Sequence, residues 1–180
     1  MTSNHISVRE ATIQDIPLIL DYWYSSSPDY LKAMGADVKK LPPKADFYKM
    51  LEKQFSLPFK EKKNYALIWE VNGEPAGHTN INQIHYGHQA NMHLHLWHSA
   101  DRHKGFGLEL LKFSLSFFFS SFQLDKLICE PYALNLPPNK VLEKVGFNFI
   151  RKYTTTPNNF TFEQEVNRWE LSKEQFIKML

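Results

Sequence analysis

Apolar and polar residues recur along the first part of the chain with two different periods. Residues 5–9 alternate branched apolar and polar side chains, which is the two-residue period of a half-buried strand. Residues 12–24 and 44–56 carry apolar side chains at every third or fourth position, which predicts amphipathic helices. Between these helices, residues 25–43 are rich in Pro, Gly and Ser, so we expect a long connection with at most one short helix.

Three strands are predicted in succession in the middle of the chain. Residues 65–71 are rich in aromatic and branched side chains, and the Asn-Gly pair that follows suits the positive φ angles of a tight hairpin. The second strand covers residues 75–84. Residues 91–98 form the third, in which aliphatic residues alternate with His and Trp. The third strand should therefore have two chemically distinct faces.

The second half of the chain predicts helices and strands in alternation. After Gly107 comes a long helix with two neighbouring apolar stripes, so we expect it to be covered on more than one side. Residues 125–129 read as a short buried strand, and residues 135–145 as a helix that ends at a glycine. A final antiparallel pair, at 147–153 and 162–171, precedes a short C-terminal helix. The helix stripes comprise Leu108, Leu111, Leu115, Phe119 and Phe122 on one side, and Leu110, Phe113 and Phe117 on the other.

Composition and charge narrow the classes of function. Apolar residues make up 43% and charged residues 22% of the 180 residues, as expected for one folded domain spanning 1–180. The net charge of +2 comes from interspersed charges, which does not suit nucleic-acid binding. A single cysteine, Cys129, excludes an intrachain disulfide and favours a reducing compartment. Neither a signal peptide nor a stretch near the ~20 apolar residues of a membrane span is visible, so we expect a cytoplasmic protein that binds neither nucleic acid nor membrane.

A glycine-containing turn precedes the long helix and carries the clearest chemical signal. It reads Arg102-His103-Lys104-Gly105-Phe106-Gly107. Glycines let consecutive backbone N–H groups converge on an anion, and the helix N-terminus adds about half a positive charge. The P-loop and dinucleotide-binding patterns are both absent. The turn therefore predicts a pyrophosphate site, and a tight turn without a ligand is the alternative.

Two motifs resemble those of the Gcn5-related N-acetyltransferase (GNAT) superfamily. Arg102-x-x-Gly105-x-Gly107 is similar to the coenzyme A motif Arg/Gln-x-x-Gly-x-Gly/Ala, and it stands between the fourth strand and the third helix, as in that family. Asn135 with Glu-Lys-Val-Gly-Phe at 143–147 resembles the downstream signature. The resemblance covers nearly the whole chain. It implies an α/β (α+β) fold with a mixed, mostly antiparallel sheet of six to seven strands, splayed central strands and about four flanking helices.

The resemblance also implies a reaction and a cofactor site. Members of the superfamily transfer an acetyl group from acetyl-coenzyme A, as co-substrate and without a metal, to a primary amine by direct attack in a ternary complex. The fourth and fifth strands would separate near residues 97–98 and 129–130 and hold the pantetheine arm. The implied cofactor-binding residues are Trp97, His98, Arg102, His103, Lys104, Gly105, Phe106, Gly107 and Asn135.

Within the superfamily, the chain looks nearest to the ribosomal-protein N-terminal acetyltransferases. Leu142 stands where other members have the tyrosine that protonates the departing thiolate, and that group lacks the tyrosine too. The chain departs from the group at Pro138, where serine is common, and at Ile150, where a carboxylate can occur. Catalytic residues therefore cannot be transferred from the resemblance.

Amine acetylation needs a proton acceptor and a donor to the thiolate, and three residues are candidates for these roles. Glu130, at the end of a strand beside the expected opening, and His95, on the preceding strand, could accept the proton of the amine. Tyr132 could donate a proton to the thiolate. A purely structural role is the alternative for each of them.

Two other classes of function compete with catalysis. His93 and His95 share a strand face, and their spacing after Gly87 resembles the first half of a cupin metal motif, but the glutamate that this motif requires is absent. A coenzyme A-binding module that senses or interacts without catalysis is the second rival. We expect no metal site.

The acceptor is the least readable part of the sequence. A protein N-terminus and a small-molecule amine are both open, and the assembly is a monomer or a homodimer. Residues 26–58 are expected to form an insert or lid on the acceptor side, because long loops in compact domains are usually functional or disordered. Aromatic residues in the first half could line that pocket or belong to the core; they are Tyr22, Trp23, Tyr24 and Tyr30.

Overall fold

The chain folds around one seven-stranded sheet. A computed structural model describes residues 4–98 and 104–180. The strands are β1 (Ile6–Glu10), β2 (Asn64–Val71), β3 (Glu74–His85), β4 (Gln89–Leu96), β5 (Lys126–Cys129), β6 (Asn148–Thr155) and β7 (Gln164–Ser172). Their order is β1-β2-β3-β4-β5-β7-β6, and every neighbouring pair is antiparallel except β4 and β5. The predicted mixed, mostly antiparallel sheet is confirmed.

The described residues form six α-helices, of which four have ten residues or more. They are α1 (Ile16–Ser25), α2 (Pro28–Ala33), α3 (Lys44–Ser56), α4 (Phe106–Phe122), α5 (Leu136–Val145) and α6 (Lys173–Lys178). The connection predicted at 25–43 contains α2 and a single 3-10 turn, Val38–Lys40. The Pro, Gly and Ser residues of this connection therefore permit only two short helical segments.

The start of α1 is fixed to the sheet by a charged cluster. Asp15 Oδ2 accepts hydrogen bonds from the backbone N–H and the hydroxyl of Thr12. The guanidinium of Arg9 on β1 donates to Asp15 and to Glu70 on β2, each at 2.7 Å. Burial alone would raise the pKa of Asp15, but the bonds from Arg9 and Thr12 lower it. The cluster fixes where α1 crosses the sheet.

Both faces of the sheet are covered. The larger apolar cluster joins one face to α4, α5 and α6, and the smaller cluster joins the other face to α1 and α3. Alternate residues of β2 therefore point into different clusters, with Leu67 and Trp69 in the larger and Ala66 and Ile68 in the smaller. Each fully buried Leu or Ile contributes about 1.5–3 kcal/mol.

The long helix α4 is covered on one side only, so the prediction of burial on more than one side is wrong. Its buried residues are Leu110, Leu111, Ser114, Leu115, Phe118, Phe119 and Phe122. Phe113 and Phe117 are 48% and 36% exposed. The side of α4 that faces the sheet is wide enough to hold two apolar rows, and the second row runs through Ser114 and Phe118. Phe113 and Phe117 lie beyond it.

The two central parallel strands separate after a short paired stretch. β4 and β5 are in register only from Gln89–Asn91 with Lys126–Ile128, although β4 continues to Leu96. At the point of separation, the Cys129 thiol donates to the Met92 carbonyl at 3.0 Å. The splayed central strands that the resemblance implies are therefore present, and they leave an opening in the middle of the sheet.

Candidate active site

A cavity of about 820 Å³ lies over the separating strands. Its walls come from α1, α3, β3 and β4, from the segment after β5, and from the loop between β6 and β7. Its volume is typical of a small-molecule site. Glu130, His95 and Tyr132, the three predicted catalytic candidates, all line it, as does Asn135. The structure thus brings residues from distant parts of the sequence to one cavity.

Histidines from neighbouring strands share one wall of this cavity. His78 on β3 lies directly opposite His95 on β4, and their rings stack with centroids 4.6 Å apart. The indole N–H of Trp97 donates to Nδ1 of His78 at 2.7 Å. Neutral His78 must then carry its proton on Nε2.

These histidines are uncharged at neutral pH. Burial, with a smaller contribution from His93, lowers the pKa of His78 to about 3. Burial lowers the pKa of His93 to about 4 against the opposing attraction of Glu130. Burial first, and then His78 and His93, lowers the pKa of His95 well below its ordinary value. The wall therefore offers neutral imidazoles.

His95 is in contact with helix α1. Its Nδ1 lies 3.2 Å from the Tyr22 hydroxyl, whose oxygen is also 3.1 Å from Met34 Sδ. The single hydroxyl proton of Tyr22 can go to Nδ1 of His95 or, in a second arrangement, to Met34, whose thioether sulfur only accepts hydrogen bonds. In that arrangement, Nδ1–H of His95 donates to Tyr22, and Nε2 of His95 keeps its lone pair.

The rival metal interpretation finds no support in the arrangement of these rings. Among residues 4–98 and 104–180, no three His, Cys, Asp or Glu side chains are grouped as metal ligands. His78 and His95 lie face to face, which is a stacking geometry and not one in which nitrogen atoms converge on an ion.

Glu130 is held in a charged network across three strands. The guanidinium of Arg168 on β7 donates to Glu130 Oε1 at 2.9 Å. The hydroxyl of Tyr153 on β6 donates to the same oxygen. Arg168 is paired also with Glu170 at 2.7 Å. Because Oε1 already accepts two hydrogen bonds, one of them from a cation, Glu130 is a weaker candidate base than the sequence indicated.

Tyr132 follows the end of β5 and packs edge to face against Phe162, with ring centroids 5.8 Å apart. Its hydroxyl has no hydrogen-bond partner among the described residues. Leu142, at the position where other GNAT members have a tyrosine, is fully buried in the larger apolar cluster. A donor to the thiolate therefore cannot come from position 142.

The glycine-containing turn forms the N-terminus of α4. Gly105 has φ +84 and precedes the first helical residue, and a Cβ at Gly105 or Gly107 would meet no atom of the described residues within 4 Å. Phe106 and Leu108 pack against the same apolar cluster as Leu94 on β4. Because α4 connects two parallel strands, its N-terminus lies at the end of the sheet where β4 and β5 separate. The turn is thus open and adjoins the gap between the strands.

The remaining predicted cofactor residues differ in how they are placed. Arg102 and His103 lie outside the described residues. Lys104 lies over the Phe106 ring at 5.8 Å, and His98 is exposed just beyond β4. The backbone N–H of Trp97 donates to Ala76 on β3 at 2.9 Å.

The backbone N–H and C=O groups of β4 that face the opening do not belong to Trp97. Strand groups alternate in direction, and the Met92 carbonyl already points to β5. The backbone of Leu94, two residues on, therefore points into the gap. The expected contact between the backbone around Trp97 and the pantetheine arm stays a prediction.

Asn135 stands immediately before α5. Its side chain does not cap that helix, so the amide remains for other contacts. The neighbouring Asn139, which we did not single out from the sequence, is buried and fully paired. It donates to Tyr132 and Asn135 carbonyls and accepts from the side chains of Asn167 and Trp169. Asn139 thus fixes α5 and the Tyr132 segment to β7.

Two loops meet above the cavity. Ala36 pairs with Thr161 in an isolated bridge, and the Asp37 N–H donates to the Phe160 carbonyl at 2.7 Å. The buried side chain of Gln164 donates to the Gly35 carbonyl at 2.8 Å. We call residues 35–37 and 160–164 the roof. No motif in the sequence indicates the contact with Gln164, which joins positions 129 residues apart.

Comparison with known proteins assigns this chain to a family. The family model described as an acetyltransferase (GNAT) domain matches residues 5–148. The chain belongs to the GNAT acetyltransferase family. No curated protein matches the GNAT chain at a significant level. Within its described residues, no helix is both long and apolar enough to cross a membrane.

Solved acetyltransferase structures share the fold of this GNAT chain at low sequence identity. RimL, a ribosomal L7/L12 alpha-N-protein acetyltransferase in complex with coenzyme A, is 12% identical with a TM-score of 0.74, covering 94% of this chain and 95% of that one. Aminoglycoside acetyltransferase AAC(6′)-Ib in complex with coenzyme A is 16% identical with a TM-score of 0.72, covering 97% and 98%. Spermidine N-acetyltransferase from Vibrio cholerae, with coenzyme A and spermine, is 14% identical with a TM-score of 0.77, covering 96% and 98%. Three different acceptors thus occur on one fold.

Proposed function

We propose that this GNAT chain transfers an acetyl group from acetyl-coenzyme A to a primary amine by direct attack in a ternary complex. The observation that supports it most is the opening between β4 and β5, which has the glycine turn of α4 at one end and the histidine-lined cavity over it. Cofactor and acceptor can therefore approach one point from two sides. The coenzyme A complexes of similarly folded acetyltransferases support the same proposal.

The residues present fit coenzyme A. The open space over Gly105 and Gly107 leaves room for a pyrophosphate at the backbone N–H groups of the α4 N-terminus. The backbone of Leu94 would pair with the amides of the pantetheine arm, and the Asn135 side chain would contact the arm near the cavity. The sequence motif adds Arg102, His103 and Lys104. Bound there, acetyl-coenzyme A supplies the thioester.

We assign the proton transfer from the amine to His95. Its imidazole is neutral at physiological pH, so its Nε2 lone pair is available when Nδ1–H donates to Tyr22. Glu130, tied to Arg168 and Tyr153, maintains the negative charge near the amine and does not take its proton. Tyr132 lines the cavity, and its hydroxyl has no hydrogen-bond partner among residues 4–98 and 104–180, so we assign it the protonation of the thiolate.

The same proposal includes the acceptor-side wall, the cellular compartment and the oligomeric state. The acceptor-side wall is formed by residues 26–58 together with the roof. We propose a cytoplasmic enzyme, as a monomer or a homodimer, that acts on an amine and not on nucleic acid or membrane.

Release of free coenzyme A tests the function. Purified protein is mixed with acetyl-coenzyme A and single amines from different classes, and thiol release is followed. We expect release that depends on at least one amine and that continues in the presence of a chelator. Tight acetyl-coenzyme A binding without amine-dependent release would instead support the non-catalytic module.

A further inference from the structure

The walls of the cavity carry almost no negative charge. Among the described residues that line it, Glu130 is the only carboxylate, and Lys63 is a cation at the rim. Oε1 of Glu130 is already used by Arg168 and Tyr153. Burial lowers the pKa values of His78, His93 and His95 on the wall, so these three imidazoles are neutral. A second or third ammonium group on an acceptor would therefore lose its hydration without gaining a carboxylate partner.

One side of the cavity is apolar and aromatic. Phe160 from the roof packs against Trp23 on α1 and Phe47 on α3, with ring centroids 6.1 Å and 5.2 Å apart. Leu51 and Met50 on α3 line the same side. This surface suits an uncharged apolar or aromatic body, which gains free energy by leaving water.

The sheet side of the cavity holds two unsatisfied polar atoms. Asn82 Oδ1 and His93 Nε2 are buried, and neither has a hydrogen-bond partner in the described structure. Both side chains line the cavity. Buried polar atoms are costly without a partner, so a donor from a bound molecule would stabilise them. A single amine group can supply such N–H donors.

The roof limits the size of the acceptor. Its bridge between Ala36 and Thr161 and its bond from Gln164 to Gly35 cover one side of the cavity. A small molecule fits beneath such a cover, whereas the N-terminus of a folded protein needs an open channel through it.

We propose that the acceptor is a small monoamine, with one cationic nitrogen on an uncharged aromatic or apolar body. This inference rests on the proposed acetyl transfer. It separates the chain from the similarly folded enzymes that act on spermidine, aminoglycosides or a ribosomal protein. The aromatic side, the neutral histidines and the one carboxylate among the described lining residues together set this preference.

The test compares kcat/KM for phenethylamine, spermidine, an aminoglycoside and a peptide with a free N-terminus. We expect phenethylamine to exceed each of the others by roughly 100-fold, because spermidine and the aminoglycoside would bury unpaired charges and the peptide would have to pass beneath the roof. A value for spermidine, aminoglycoside or peptide that equals or exceeds that for phenethylamine overturns the inference while leaving acetyl transfer intact. If no amine releases coenzyme A, the proposed function itself fails.

Charge variants test whether the cavity wall sets the preference. Asn82→Asp places a carboxylate on the wall, and we expect the ratio of kcat/KM for spermidine to that for phenethylamine to rise by about tenfold. Asn148→Asp is the matched control, because Asn148 is exposed on β6 and lies outside the cavity lining. Asn80→Asp gives a second reading at another lining position if Asn82→Asp does not fold. An unchanged ratio in both wall variants, or an equal rise in the control, overturns the inference.

Discussion

Trp97 Nε1–H donates a 2.7 Å hydrogen bond to His78 Nδ1, and this bond joins the residue after β4 to the middle of the sheet wall. It fixes the tautomer of His78, whose ring stacks on His95. The end of β4, where the cofactor opening lies, is thereby mechanically connected to the proposed proton acceptor. The imidazoles must remain neutral for this arrangement to persist.

Stability should therefore fall as the pH drops through the range in which free histidine becomes protonated. The pKa of His78 is about 3 in the folded chain against 6.5 for its ordinary value, so between these values the unfolded chain binds the extra proton. The free energy of unfolding should decline by about 1.4 kcal/mol per pH unit for each such histidine well inside this range. Thermal melting between pH 7 and pH 4.5 measures this decline in stability, because the ordinary pKa of histidine lies in that range.

Replacing His78 should flatten that decline. His78→Asn keeps an oxygen that can accept the Trp97 indole N–H but removes the titrating group. His88→Asn is the matched control, because His88 is exposed. An identical pH slope in the wild type and both variants would show that the buried histidines do not control acid stability.

Much of the fold is readable from the sequence because local chemistry determines it. The Asn72-Gly73 pair adopts the positive φ angles that its hairpin requires, and Gly146 ends α5 in the left-handed region. The helix stripes were harder to read, because a phenylalanine at helical spacing does not reveal how wide the covered face is. Phe113 shows this, since it is exposed although its stripe predicted burial.

The candidate site was less readable than the fold, because its contacts join distant positions. The three catalytic candidates do line one cavity, but the pairing of Glu130 with Arg168 spans 38 residues and has no local signature. The same holds for Gln164 and Gly35 in the roof. Which backbone groups face the opening depends on strand register, so sequence alone indicated only the region around Trp97.

Filling the space over Gly105 should abolish cofactor binding. Gly105→Glu places bulk and negative charge where the pyrophosphate would approach, and acetyl-coenzyme A binding should be lost in calorimetry. Gly73→Glu is the matched control, since Gly73 has φ +83 and equally open surroundings but lies in a hairpin. Each variant should lose about 1–2 kcal/mol of stability from its left-handed backbone. Retained affinity in folded Gly105→Glu would refute the cofactor site.

Substitutions at Glu130 and His95 should have different effects: the first should mainly lower stability, and the second should mainly lower kcat. Glu130→Gln should cost about 1–3 kcal/mol of stability, because a charged hydrogen-bond network is broken, while kcat changes less than about tenfold. His95→Asn should lower kcat by about 10²–10⁴-fold. Glu109→Gln, which breaks an exposed pair with Lys112, should change stability by less than about 1 kcal/mol. A large loss of kcat in Glu130→Gln, with little loss of kcat in His95→Asn, would identify Glu130 as the base.

Loosening the roof should affect the acceptor and not the cofactor. Gln164→Ala removes the bond to Gly35, so the acceptor KM should rise by about tenfold, which corresponds to about 1.4 kcal/mol, with unchanged acetyl-coenzyme A affinity. In the wild type, we expect amides of residues 25–43 to exchange quickly in the free protein and to slow when acceptor and coenzyme A are both bound. Slow exchange without ligands, and an unchanged KM in the variant, would show that this segment is fixed packing and not a lid.

An isotopically labelled acetyl group tests whether the protein transfers acetyl directly from acetyl-coenzyme A to an amine. Labelled acetyl-coenzyme A is incubated with the protein and, in separate reactions, phenethylamine, spermidine, an aminoglycoside and a peptide, and both the amine and the protein are analysed by mass spectrometry. Direct attack predicts that the label appears in an amide on the amine, with one coenzyme A released per acetyl group and none of the label on the protein. Label retained on the protein, or labelled acetyl-coenzyme A that stays bound and intact across all amine classes, would contradict the account.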